Sequence, residues 1–126
     1  MRRLAALALC LLFTGCLSDT TAPSTSLLVG TWSLSTVNGQ AVPYTYPNGK
    51  QILDETFVIT INGTYTEEAH YSDGSTYTEQ GVITTIGGTA FFQDLTGFIS
   101  YNGTWSATAM TQHIGSYDLG FVKATS

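Results

Sequence analysis

Four dipeptides, Asn62-Gly63, Asp73-Gly74, Gly87-Gly88 and Asn102-Gly103, constrain this chain more than any other feature. Each joins residues that tolerate positive φ, and such pairs form the two-residue hairpin turns whose twist matches that of antiparallel strands. Between them lie short runs of Thr, Val, Ile, Tyr and Phe, and no stretch carries apolar residues at helical spacing for three turns. The spacing predicts eight strands, near 27–37, 52–61, 64–72, 75–85, 89–94, 97–101, 104–111 and 116–124. Strands joined by tight turns pair in sequence order, as a meander.

Alternation along the strands sets their faces. Leu28, Trp32 and Leu34 share a side of the first, Phe57, Ile59 and Ile61 of the second, Tyr65, Ala69 and Tyr71 of the third, and Tyr77, Gly81 and Ile83 of the fourth. Trp105, Ala107 and Ala109 share a face of the seventh, and Tyr117, Leu119 and Phe121 of the last. The opposite face is mostly Thr, Ser, Gln and acids. A single apolar face on eight sequential strands, with no helix to cover it, is best buried by curling the sheet closed. The expected fold is therefore all-β, an antiparallel up-and-down eight-stranded barrel over residues 27–126, with a two-sheet sandwich as the competing arrangement. One long connection, residues 38–50, holds two of the three prolines. It reads as a loop over one barrel mouth or a short edge strand at 41–46, and in either form as the gate to the interior.

Residues 1–15 carry Arg2 and Arg3 ahead of an apolar run from Leu4 to Phe13, which is a secretory signal too short to remain as a membrane helix. The ending "LLFTGC" resembles the lipobox of bacterial lipoproteins, in which the Cys receives a diacylglyceryl group and cleavage falls just before it. The resemblance makes Cys16 the lipid anchor, and Phe13 departs from the residue usual three places earlier. Cysteine count agrees: Cys10 leaves with the signal, and Cys16 has no partner for a disulfide. The expectation is an exported protein held to the bacterial cell envelope, at the outer membrane if the host has one. Residues 16–26 form the lipidated Cys and a small, polar tether. After cleavage Lys50 and Lys123 face nine acids, a net charge of −7, and no basic stripe exists for nucleic acid.

The stretch "LVGTWSLSTVNGQAVP", residues 28–43, resembles the first strand and turn of bacterial lipocalin-like domains, relatives of the calycin barrels. The resemblance implies that Gly30 and Trp32 close one barrel end, with Lys123 from "LGFVKA" packed on the indole where the family usually has Arg. The middle Thr-Asp-Tyr motif of full lipocalins is absent, and the chain is shorter than theirs. The same opening is also similar to META-type domains of envelope lipoproteins, a different β architecture.

For function, Tyr65, Tyr71, Tyr77, Trp105 and Phe121 are placed inward as candidate ligand-binding residues, against the alternative of a filled core. Glu67, Glu68, His70 and Glu79 form the one dense polar cluster. Glu67 shares the face of Tyr65 and Glu79 that of Tyr77, so the hairpin can bring two carboxylates together to act as acid and base, bind a cation, or serve as solvated rim charges. His70 and His113 lack partners at metal-ligand spacing, and no nucleophile or phosphate-loop motif is present, so neither a metal, a cofactor nor an enzymatic activity is expected. The leading reading is a lipid-anchored barrel that binds a small hydrophobic or amphipathic molecule. The alternative is a packed, non-enzymatic module that meets a protein partner, and a hydrolase built on Glu67 and Glu79 comes third.

Overall fold

The computed structural model describes residues 23–125. The signal segment 1–15, Cys16 and the first part of the tether lie outside them. Ten antiparallel strands follow one 3-10 turn at Thr25–Leu28: β1 (Gly30–Val37), β2 (Gln40–Ala41), β3 (Tyr44–Thr45), β4 (Gln51–Ile59), β5 (Thr64–Tyr71), β6 (Thr76–Ile86), β7 (Thr89–Asp94), β8 (Ser100–Trp105), β9 (Ala109–Ile114) and β10 (Tyr117–Lys123). Sheet order runs from β1 through β10, β9 and so on down to β4, and β1 also pairs with β4. The eight long strands therefore close an up-and-down barrel, which excludes the two-sheet sandwich. Residues 38–50 are both loop and strand. An Asn38-Gly39 turn folds β2 back on β1, β3 pairs with β4, and Tyr44 and Tyr46 pack against the core.

Closure depends on β1, whose Trp32 lies opposite Phe57 on one side and Lys123 on the other. The indole is fully buried and donates to Leu28 O at 2.9 Å. Lys123 Nζ sits 5.3 Å from the centre of that ring and donates to Leu27 O at 2.7 Å. Gly30 has φ +139°, and a Cβ there would stand 2.7 Å from Lys123 Cε. Only glycine leaves the lysine stem its path across the barrel floor. Residues of the expected tether take part in this closed end: Trp105 Nε1 donates to Ser24 O, and Thr25 bonds Thr85.

Two β-bulges adjust the interior face. The pairing slips between Leu34 and Thr36 in β1 and between Ile52 and Asp54 in β4, so Leu34 and Val37 both face inward, as do Ile52 and Glu55. Phe57 stacks on Tyr65 at 4.6 Å and meets Phe92 and Phe121 edge-on, while Phe92 stacks on Tyr101 at 5.2 Å. These rings fill the middle of the barrel.

Several expectations need correction. Asn102-Gly103 is no turn but part of β8, and the chain reverses instead at residues 106–108, where Ser106 Oγ accepts from the amides of Thr108 and Ala109. With Tyr101, Gly103 and Trp105 inward, both large rings are buried. Gly103 fits because a Cβ would collide with Thr111 O of β9. Ala107 and Ala109 are exposed as a result, and the inward residues of β9 are Met110 and Gln112. The strand expected at 97–101 begins only at Ser100, because Asp94 caps a loop by accepting from the amides of Thr96 and Gly97. Ile61 lies in a turn and is 85% exposed.

Trp32→Ala should cost roughly 3–5 kcal/mol, as loss of a buried aromatic does, read as a lower denaturant midpoint. Asn102→Val, at an outward position of a strand, should alter stability by no more than about 0.5 kcal/mol. A much larger loss in the second variant would mean that residue 102 needs a turn conformation after all.

Candidate functional site

Strands β4, β5 and β6 each send a glutamate into the barrel at adjacent positions. Glu67 lies opposite Phe57 on β4 and opposite Glu79 on β6, and Glu55 enters one turn of the pleat above Phe57. All three are buried, so for Glu67 and Glu79 the alternative of solvated rim charges is excluded. Glu79 is well provided for: Oε1 accepts from Tyr65 at 2.6 Å and Tyr101 at 3.0 Å, and Oε2 accepts from Tyr77 at 2.9 Å. Gly81 makes this contact feasible, because a Cβ there would collide with the Tyr65 ring and with Gln93 O.

Glu55 and Glu67 have no such donors among the described residues and lie close enough for one carboxyl, when protonated, to donate to the other. Glu55 is 4% exposed, and its Oε1 receives no donor from the described residues. Burial, followed by the charges of Glu55 and Glu79, holds Glu67 far above the ordinary carboxylate range. Burial also raises Glu55, against the opposing effect of the hydrogen bond from Glu67. Desolvation raises Tyr65, Tyr77 and Tyr101 as well, so their hydroxyls stay protonated and donate. Gln112, wholly buried in β9, leaves both amide atoms without a partner.

Above the carboxylate pair the barrel opens. A pocket of about 180 Å³ lies at this mouth, with Glu55 and Glu67 below, Tyr46, Tyr71, Tyr77 and Tyr117 around it, and Ile114 and Leu119 on the far wall. Tyr46 meets Tyr117 edge-on at 5.0 Å, which fastens the 38–50 segment to the opposite rim. Larger hollows lie elsewhere, two of them of note. One, of about 660 Å³, crosses the outer, threonine-rich face of β4–β6, and an apolar one of about 460 Å³ lies beside Leu28, Ile59 and Ile61 at the closed end. The mouth is the place where apolar rings and convergent polar groups meet, as in small-molecule sites.

The five aromatic residues singled out from the sequence divide into three groups. Tyr71 and Tyr77 line the mouth, with Tyr77 40% exposed. Tyr65 and Phe121 belong to the packed middle, and Trp105 to the closed end. Glu68 and His70 point outward, where His70 bridges Asp54 at 2.6 Å and Glu68 at 3.1 Å, and His113 pairs with Asp118 on the surface. Among the described residues no group of three His, Cys, Asp or Glu side chains is placed to hold a metal ion. Glu55 was missed, although strand alternation puts it on the face of Phe57 and Ile59. Alternation with Leu119 and Phe121 already put Tyr117 on the inward face, whereas Tyr46 carries no such signal, because the 38–50 segment has no fixed periodicity.

The buried carboxyl pair gives the protein a pH signature. The ordinary carboxylate value is 4.5, and the folded pair keeps its proton well above it. Between those limits the folded state binds more protons than the unfolded chain, so stability is complete at low pH and falls as pH rises through the raised range. The melting temperature should be higher near about pH 5 than near about pH 9. Glu67→Gln, which has no proton to lose, should flatten that slope and melt above the wild type at the alkaline end. His70, raised by its bond to Asp54, adds a change of the same sign in both proteins. An unchanged slope in the variant would place the titration elsewhere.

No family model matches the sequence, and no curated protein sequence resembles it significantly. Among solved structures the fold is similar to that of a lipocalin-like protein from Bacteroides uniformis ATCC 8492, with a TM-score of 0.55 and 14% identity, over 78% of this chain and 99% of that one. The barrel is thus of the lipocalin-like type, the first of the two resemblances read from residues 28–43.

Proposed function

We propose that this protein is a lipid-anchored component of the bacterial cell envelope whose barrel binds a small amphipathic molecule at its open mouth and performs no chemistry on it. The mouth pocket carries the binding reading, since a lipocalin-like barrel is a scaffold for small ligands and this one gathers four tyrosines over two buried glutamates. The middle of the barrel is filled with aromatic rings, so the guest sits in the mouth and does not thread the interior. The anchoring reading rests on the signal segment and on Cys16. Residues 23–28 lie at the closed end, so a tether from Cys16 would turn the mouth away from the bilayer.

A second reading has an observation of its own. The loop after β7 exposes Leu95, Phe98 and Ile99 together, with Phe98 88% exposed, and a cluster of that kind suits a protein partner. In that reading the barrel is a packed envelope module and needs no ligand.

Native mass spectrometry of the full chain made in a bacterial host separates the two. The expected result is a covalent lipid mass that disappears in Cys16→Ser, together with a reproducible non-covalent mass that delipidation removes. A chain with the lipid but no removable mass would favour the partner-binding module. A chain without lipid on Cys16 would overturn the anchor.

A further inference from the structure

The mouth pocket carries more chemical information than its shape alone. Its floor is a pair of buried carboxyl groups, and Glu55 Oε1 finds no donor among the described residues. No lysine or arginine among the described residues neutralises them. Lys123 is held by Leu27 O at the closed end, and Lys50 lies 4.2 Å from the centre of the Tyr71 ring at the rim. Ion pairs among the described residues are all made by His70 and His113 on the outer surface. Acidic groups buried without a counter-charge are costly in a medium of low dielectric, and aromatic faces attract positive charge. Lys50 on Tyr71 already places an ammonium on one of the rings that line this pocket.

From this arrangement we infer that the molecule taken into the mouth is a small protonated amine, its ammonium on Glu55 and Glu67 and its alkyl part against Tyr46, Tyr71, Tyr77 and Tyr117. The inference rests on the mouth-binding reading above and deepens it. Size limits the guest: about 180 Å³ falls below the roughly 300–1,000 Å³ of sites for drug-sized ligands, so a short alkylammonium fits and a lipid does not. The orphan acceptor selects its chemistry. An ammonium offers three N–H donors, whereas a quaternary nitrogen offers none. A metal ion is a poorer match, because no third ligand of the right kind joins the pair among the described residues.

The test is calorimetric titration of the full-length protein with n-butylammonium chloride in sodium buffer near neutral pH, beside n-butanol, tetramethylammonium chloride and calcium chloride. Saturable one-site binding of butylammonium is expected, with tetramethylammonium at least about tenfold weaker and no butanol or calcium binding over the same range. Glu55→Gln should weaken butylammonium by roughly tenfold or more, the worth of a hydrogen bond to a charged group. Tyr46→Leu, outside the barrel wall, should weaken it several-fold and serves as a second variant if Glu55→Gln disturbs the fold, as judged by near-ultraviolet circular dichroism. Butanol binding as tightly as butylammonium, with Glu55→Gln without effect, would overturn the amine while leaving a mouth site intact. Binding of calcium in place of the amine would overturn it too. Silence from all four probes, with no removable mass in the native spectrum, would remove the mouth site as well.

Discussion

Everything else in this molecule depends on β1 pairing on both of its edges. The strand lies between β10 and β4, and without its bonds to β4 the sheet would present two open edges and a bare apolar face. Trp32 sits at that seam, opposite Phe57 and Lys123 at once, and its indole and the lysine head both take carbonyls of the 3-10 turn below. Closure and floor are thus one construction. It needs Gly30, because the lysine stem passes where a side chain would stand.

An eight-stranded barrel encloses little more than its own side chains, so each inward position must be filled or must hold a guest. The chain fills the closed end and the middle with rings and aliphatic groups, and places acids above them. Glu79 is the hinge between the two regimes. Three tyrosine hydroxyls satisfy its carboxyl, two of them from rings of the packed middle. Glu67, directly opposite Glu79, and Glu55, one turn of the pleat above Phe57, have no such support. Burying that pair weakens the fold above the ordinary carboxylate range, as expected where an interior is arranged for binding rather than for stability alone.

Much of this was legible in the residue pattern. Alternation placed Glu67 beside Tyr65 and Glu79 beside Tyr77, and the Asp73-Gly74 turn fixed their register, so the facing carboxylates followed from local rules. Glu55 was equally accessible from its spacing to Phe57. The turn at 106–108 was not, because Asn102-Gly103 has the stronger local propensity. Burial of Tyr101 and Trp105 outweighed it, and propensities of about 1 kcal/mol yield to two large rings.

The sequence by itself determined the all-β class and the order of pairing, since these follow from turn chemistry and period-two alternation, while the closing residues were named only through the family resemblance of the Gly-x-Trp step. It also marked Cys16 as the expected lipid anchor. Tertiary structure alone decided that the acids are interior, that Tyr46 crosses from the 38–50 segment to meet Tyr117, and that the middle is packed while the mouth stays open. Those outcomes depend on which side chains share a confined volume after closure. Local rules set which face a residue takes, but only the closed barrel sets how much room remains beside it.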